Sequence, residues 1–216
     1  MKKTKKVKSD LSFLKKVWIK IRYGMVLQVI GNRIAKLGFE VAPYYWFMEG
    51  AGSLKAPEIK GNVDDYMIKF LEPDDMKEIA KSNTGYSEAE FLVFLEAGER
   101  CLAMVNGDKI ATFMWISLNK CNFKSITIPM KSKEAYLWNM FTVESFRGKN
   151  IAPYLRYKSY EILREMGRNT LYSISLYFNS PAIKFKQKLN AKFVKLGLYL
   201  RLFNKFTWNL TLKTYC

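Results

Sequence analysis

The chain has 216 residues, of which 49% are hydrophobic and 15% aromatic, and a formal charge of +17. That length and apolar content suit one domain with an ordinary core and exclude a disordered polypeptide. The absence of histidine removes Ser-His-Asp and Cys-His catalysis and any histidine-based metal site.

The charge is unevenly placed. Residues 1–50 carry eleven Lys/Arg against three acids, residues 51–165 sixteen of each, and residues 166–216 nine Lys/Arg and no acid. Fields of this kind attract polyanions: nucleic acid, anionic lipid, an acidic carrier protein or a phosphorylated small molecule. Cys101, Cys121 and Cys216 match no zinc spacing. Three cysteines without a signal peptide are expected of a reduced, cytoplasmic protein.

Met1–Asp10 is a lysine-rich leader. Leu11–Leu37 has helical periodicity, with Leu14, Trp18, Ile21 and Met25 on one stripe and Ile30, Ile34 and Leu37 later. Lysines and arginines interrupt it, so no run reaches the ~20 apolar residues of a membrane span. A basic helix of this kind packs on its own domain or on another subunit, or lies on an anionic membrane. Gly38–Lys60, with Tyr44-Tyr45-Trp46-Phe47 among Gly and Pro, reads as a linker or aromatic lid. Residues 1–60 are thus expected to be a basic extension, and 61–216 the domain proper.

Within the domain, Asp64–Phe70 alternates as a strand. Pro73 and two acids open a helix over Asp74–Ser82. Ser87 caps a second helix over Ser87–Ala97, with Glu90 three residues on. Asn106-Gly107 between Cys101–Val105 and Lys109–Ser117 is a hairpin signal. Lys120–Lys133 reads as a loop or a hairpin-like turn, Tyr136–Val143 as a strand and Ala152–Met166 as a helix. Leu171–Tyr177 is a strand, Asn179-Ser180-Pro181-Ala182 opens a helix, and Phe193–Phe203 and Phe206–Leu212 close the chain as paired strands. The order β-α-α-β-β-β-α-β-α-β-β predicts an α/β (α+β) fold around a mixed sheet, not a regular βαβ series.

Chemistry concentrates at Arg147-Gly148-Lys149-Asn150-Ile151-Ala152, a basic turn between a strand and a helix. Backbone N–H groups aimed outward at a helix start bind anions, aided by the helix dipole. No Gly-Lys-Ser/Thr follows, so this is not an NTPase loop, and no Gly-x-Gly-x-x-Gly is present.

Two motifs at this separation resemble the GCN5-related N-acetyltransferases. The family's pyrophosphate loop reads Arg/Gln-x-x-Gly-x-Gly/Ala. Arg147 and Ala152 fit, while Asn150 replaces the first Gly; Asn is the next most tolerant residue of left-handed geometry. The second motif is Asn-x-x-Ala before an apolar helix, here Asn179 to Ala182 and on to Leu189. The resemblance covers about 63–213. It implies the acyl-CoA N-acyltransferase fold: a mixed central sheet with splayed strands and helices on both faces.

It also implies acetyl-CoA, or another acyl-CoA, as co-substrate, with no metal. Met140, Phe141 and Val143 would hold the pantetheine arm in the gap between splayed strands. Arg147, Gly148, Lys149, Asn150, Ile151 and Ala152 would cradle the pyrophosphate. Asn179 would meet the arm near the thioester, with Ala182 in the same motif. Lys184, Lys186 and Lys188 would add charge toward the phosphates or form a solvated face. An amine would attack the thioester carbonyl, with a base taking its proton and an acid protonating the departing thiolate. The family's usual acid, a Tyr, falls at Lys186. Tyr177 or Tyr154 is the substitute, and Glu144 the base.

The implied activity is N-acetyl transfer to a small-molecule amine, such as a lipid-linked amino sugar. The alternatives are long-chain N-acyl transfer from an acidic acyl carrier protein, and a non-catalytic module binding RNA or membrane on the same scaffold. The basic residues are not interleaved with aromatics as in an RNA motif, which argues against nucleic acid. A homodimer and a peripheral place on an anionic inner-membrane surface through residues 11–37 are further expectations.

Overall fold

The structure is a computed structural model. It describes residues 38–215 except 51, 53, 54 and 83, together with residue 35. The lysine leader, the apolar stripe beginning at Leu14 and Cys216 lie outside the described residues.

Among the described residues, ten strands and four helices follow one another. The first half holds β1 (Glu40–Glu49), β2 (Met67–Phe70), α1 (Met76–Ala80), α2 (Glu88–Glu96), β3 (Arg100–Asn106) and β4 (Lys109–Ser117). Next come β5 (Lys120–Phe123), β6 (Ile126–Pro129), β7 (Glu134–Thr142) and α3 (Ile151–Glu165). The chain closes with β8 (Thr170–Leu176), α4 (Ser180–Lys188), β9 (Lys192–Leu202) and β10 (Phe206–Thr214). The chain divides into two compact units. One comprises residues up to 46, 175–187 and 193–216, the other 47–174 and 188–192. β1 and β8 each contribute residues to both.

In the larger unit the strand order is β1-β8-β7-β4-β3-β2. β2, β3, β4 and β7 are antiparallel neighbours, and β7 pairs with β8 in parallel. A mixed sheet therefore forms, as the element order predicts. β3 and β4 turn at Asn106-Gly107, where Gly107 has φ 56° and Asn106 opposes Lys109. Ser87 caps α2 as the sequence indicates: its hydroxyl accepts from Glu90 N–H while the Glu90 carboxylate accepts from Ser87 N–H.

Alternation along β4 puts helices on both faces of this sheet. Phe113 and Trp115 point one way and meet α2, with Phe91 stacked on Trp115 at 5.6 Å. Met114 points the other way, within 3.9 Å of Arg156 on α3. Leu71, Met76, Ile79, Cys101 and Val105 complete the core on the α2 face. Burial of such side chains is the main stabilising term, about 1.5–3 kcal/mol for each large one. It also pushes the Cys101 thiol well above its ordinary pKa, so that cysteine is an inert core residue.

The smaller unit carries the order β10-β9-β1-β8. Residues 40–49 are thus a strand where the sequence reading has a linker. Their Gly- and Pro-rich flanks obscure it, yet Pro43 fits because a strand proline still accepts: its carbonyl takes the Tyr177 N–H at 2.9 Å. Tyr44 lies over Gly197, and its hydroxyl donates to Asn209 at 2.8 Å. β10 is the edge, with all nine residues exposed. Residues 120–129 form the β5–β6 hairpin, the hairpin-like form of the loop expected there. One other reading is corrected. Lys186 is buried, so α4 does not present three lysines as one solvated face.

Candidate functional site

β7 is the strand that shapes the site. It keeps register with β4 except between Phe113 and Trp115, where Asn139 and Met140 oppose Met114. Asn139 takes φ 44° there, which marks a β-bulge. Its Nδ2 is buried with no acceptor among the described residues. On the other side, pairing with β8 ends after Tyr136 and Tyr172, although β7 runs on to Thr142. The strands therefore part, leaving a row of β7 backbone groups unclaimed by β8.

Alternation decides which groups these are. Val143 N–H donates to Ala111 O at 3.0 Å, so its neighbour Thr142 directs its own N–H and C=O away from β4. The sequence reading placed the arm on Met140, Phe141 and Val143. The backbone pattern turns Phe141 and Val143 toward β4 and adds Thr142 as the outward-facing residue. Phe141 also packs its ring on Phe113 at 5.7 Å.

After β7 a 3-10 turn over Glu144–Phe146 leads into the basic loop. Arg147 is held by two contacts: its Nε donates to Thr142 O at 3.1 Å, and its guanidinium lies 5.8 Å from the Phe141 ring centre. Gly148 has φ 80° and Asn150 φ 63°. The left-handed geometry needed at the family's glycine position is thus kept by Asn150. Among the described residues the N–H groups of Gly148, Lys149 and Asn150 have no partner. α3 adds the orphan donors of its first turn, where it has no acidic residue.

Apart from Lys149, these residues border a cavity of 670 Å³. Arg147, Gly148, Asn150, Ile151 and Ala152 line it, as do Thr142, Phe146 and Pro153. Its remaining walls are Lys188 and the segment Glu58, Ile59 and Lys60. Lys60, Arg147 and Lys188 carry no ion pair among the described residues, while Glu58 pairs with Lys55 at 3.3 Å. Free donors, unpaired cations and a helix N-terminus facing one cavity fit a pyrophosphate. The residues present thus suit the nucleotide end of an acyl-CoA. Lys149 is not on the cavity; it lies 5.2 Å over the Phe146 ring.

α3 is fixed from within. The buried Arg156 guanidinium donates to both carboxylate oxygens of Glu49 at 2.8 Å. Tyr160 and Ser173 donate to the same carboxylate. Glu49 keeps Arg156 firmly charged despite its burial, and burial pushes the Tyr160 hydroxyl far up. Arg164 donates to Gly50 O. The end of β1 thereby holds the helix whose N-terminus faces the cavity, a support no sequence motif announces.

The predicted catalytic groups are less assembled. Glu144 is exposed, does not line the cavity, and its carboxylate has no partner among the described residues. Tyr154 is on α3 near Lys158. In the smaller unit, Tyr177 stacks on Tyr45 at 5.3 Å. Burial, with Tyr215 and Tyr177 beside it, pushes the Tyr45 hydroxyl to about 12, so Tyr45 stays protonated. Asn179 Oδ1 accepts from Ala182 N–H at 3.3 Å, an N-cap at the start of α4. Asn179 to Ala182 thus open a helix, as the sequence indicates.

No curated protein matches the sequence. Among solved structures, a GNAT-family acetyltransferase from Colwellia psychrerythraea aligns with TM-score 0.55 at 13% identity, over 82% of this chain and 58% of its own. A GNAT-family structure from Novosphingobium aromaticivorans gives 0.53 at 16%, over 76% and 64%. A GCN5-related glucosamine N-acetyltransferase region of a fungal multi-domain GH3 β-N-acetylglucosaminidase gives 0.52 at 9%, over 85% and 22%. The chain spans less than two-thirds of the length of each, and at these identities the likeness is one of fold. The family model described as Acetyltransferase (GNAT) family matches residues 62–191, most of the chain and both of the motifs described above; the protein belongs to the GNAT acetyltransferase family.

Proposed function

We propose that the protein is an acyl-CoA-dependent N-acyltransferase that moves acetyl from acetyl-CoA to an amine. The observation that carries this is the cation-lined cavity at the start of α3, walled by free backbone donors. In this reading Arg147 and the N–H groups of Gly148 and residues 150–152 hold the pyrophosphate, and Thr142 with Met140 pairs with the arm beyond the last β7–β8 contact. A neutral amine attacks the thioester carbonyl. Its proton passes to Glu144, directly or through water, the carbon–sulfur bond breaks, and the departing thiolate takes up a proton from a neighbouring acid or from water. Positioning supplies much of the rate in such a scheme. An amino sugar is one acceptor of the right class, and a glucosamine N-acetyltransferase region shares the fold.

An acidic carrier protein as donor is the second reading, favoured by the run of residues 166–216 without a single acid. Calorimetric titration with acetyl-CoA, CoA and a long-chain acyl-CoA separates the two. Micromolar binding of acetyl-CoA, lost in Arg147→Glu, is the expected result. No binding of any of the three, with acylation from a charged carrier protein instead, would replace the first reading with the second.

A further inference from the structure

The segment 55–61 lies outside the family match, which begins at residue 62, yet it forms one wall of the cavity. Two hydrogen bonds fasten it across the basic loop. Asn150 Nδ2 donates to Glu58 O at 2.6 Å, and Lys60 N–H donates to Lys149 O at 2.9 Å. Gly61, with φ 113°, then turns the chain away in a conformation that side chains rarely adopt. Beyond it, Asn62 caps the turn over 63–65 by accepting from Asp64 N–H at 3.2 Å. Pro57 stiffens the approach.

This arrangement gives the unusual residue of the loop a purpose. A glycine at position 150 would reach the same φ but could not hold Glu58. Asn150 makes no cap to its own helix; its side chain is spent on the strap. The fastening in turn places Lys60, an exposed cation with no ion pair among the described residues, on the cavity wall with Arg147 and Lys188.

We propose that residues 55–61 are a strap tied by Asn150, and that Lys60 on it binds the phosphates of the donor's nucleotide. This deepens the reading of the cavity given above and rests on it. Lys60 and Lys188 contribute charge that the loop backbone alone does not. Ordering the strap before binding also lowers the entropy cost of donor capture.

The test is calorimetric titration of the full chain with acetyl-CoA and with S-acetylpantetheine, which has no nucleotide. Wild type is compared with Lys60→Ala, Lys60→Arg and Asn150→Gly, each checked for an unchanged thermal midpoint. Lys60→Ala should raise the acetyl-CoA Kd by about tenfold, the loss of one charge-assisted contact, and leave S-acetylpantetheine unaffected. Lys60→Arg should restore most of the affinity. Asn150→Gly should weaken acetyl-CoA binding and speed amide hydrogen exchange in residues 55–61. Wild-type binding with all three variants within twofold of it overturns the strap's role and leaves the cavity reading standing. No binding of acetyl-CoA by wild type overturns both.

Discussion

A carboxylate inside the larger unit sets a testable pH dependence. Glu99 accepts from Ser117 Oγ and from Trp138 Nε1, the latter at 3.3 Å. Burial nevertheless dominates and holds its carboxyl above the ordinary 4.5. The folded state therefore takes up this proton more readily than the unfolded chain. The stability linked to it is present below the ordinary value and is lost as pH rises through the raised one. Glu99→Gln removes the titration, so its urea midpoint relative to wild type should climb from below 4.5 toward neutral pH. A difference that stays flat over that range would show that Glu99 does not titrate there. Legibility at this scale was mixed. Asn150 in left-handed geometry follows from residue type alone, because few residues tolerate it. Glu49 does not, because its meaning depends on Arg156, 107 positions later.

At the scale of elements, local signals survived where chemistry is local. The Asn-Gly hairpin, the Ser87 capping box and the helix after the basic turn all lie where the sequence puts them. β1 escaped because what makes it a strand is its neighbours β8 and β9, which arrive more than a hundred residues later. The same pairing explains Gly197. A Cβ there would stand 2.3 Å from the Tyr44 ring, and that ring is anchored by its hydroxyl bond to Asn209. Gly197→Ala should thus cost about 1–3 kcal/mol, the range for overpacking, read as a lower thermal midpoint. A midpoint equal to wild type would mean that Tyr44 is free to move aside.

At the scale of the molecule, the family match omits what the fold requires. A chain beginning at residue 62 would lack β1, the strap and Glu49. Arg156 would then be buried without its carboxylate, a loss of about 3–5 kcal/mol before the missing strand is counted. Against a usual total of about 5–15 kcal/mol, such a truncation should be unfolded. Circular dichroism would check this; a cooperative urea transition in the fragment would contradict it. The charge imbalance and the mixed sheet were legible from the sequence. The division of the chain into units was not, since both draw on β1 and β8.

β10 carries a consequence for how the protein behaves in solution. It is nine residues long, free of proline, and exposes Phe206, Trp208, Leu210 and Leu212 along an edge. An edge with no neighbouring strand among the described residues is a template for strand addition by another chain. Lys205 and Lys213 stand at its two ends, and the register break between Thr211 and Lys213 interrupts its regularity. These features act as gatekeepers against runaway stacking. Neutralising the two lysines would be expected to lower the concentration at which the protein stays dispersed, which makes colloidal behaviour, and not catalysis, the property those two positions govern.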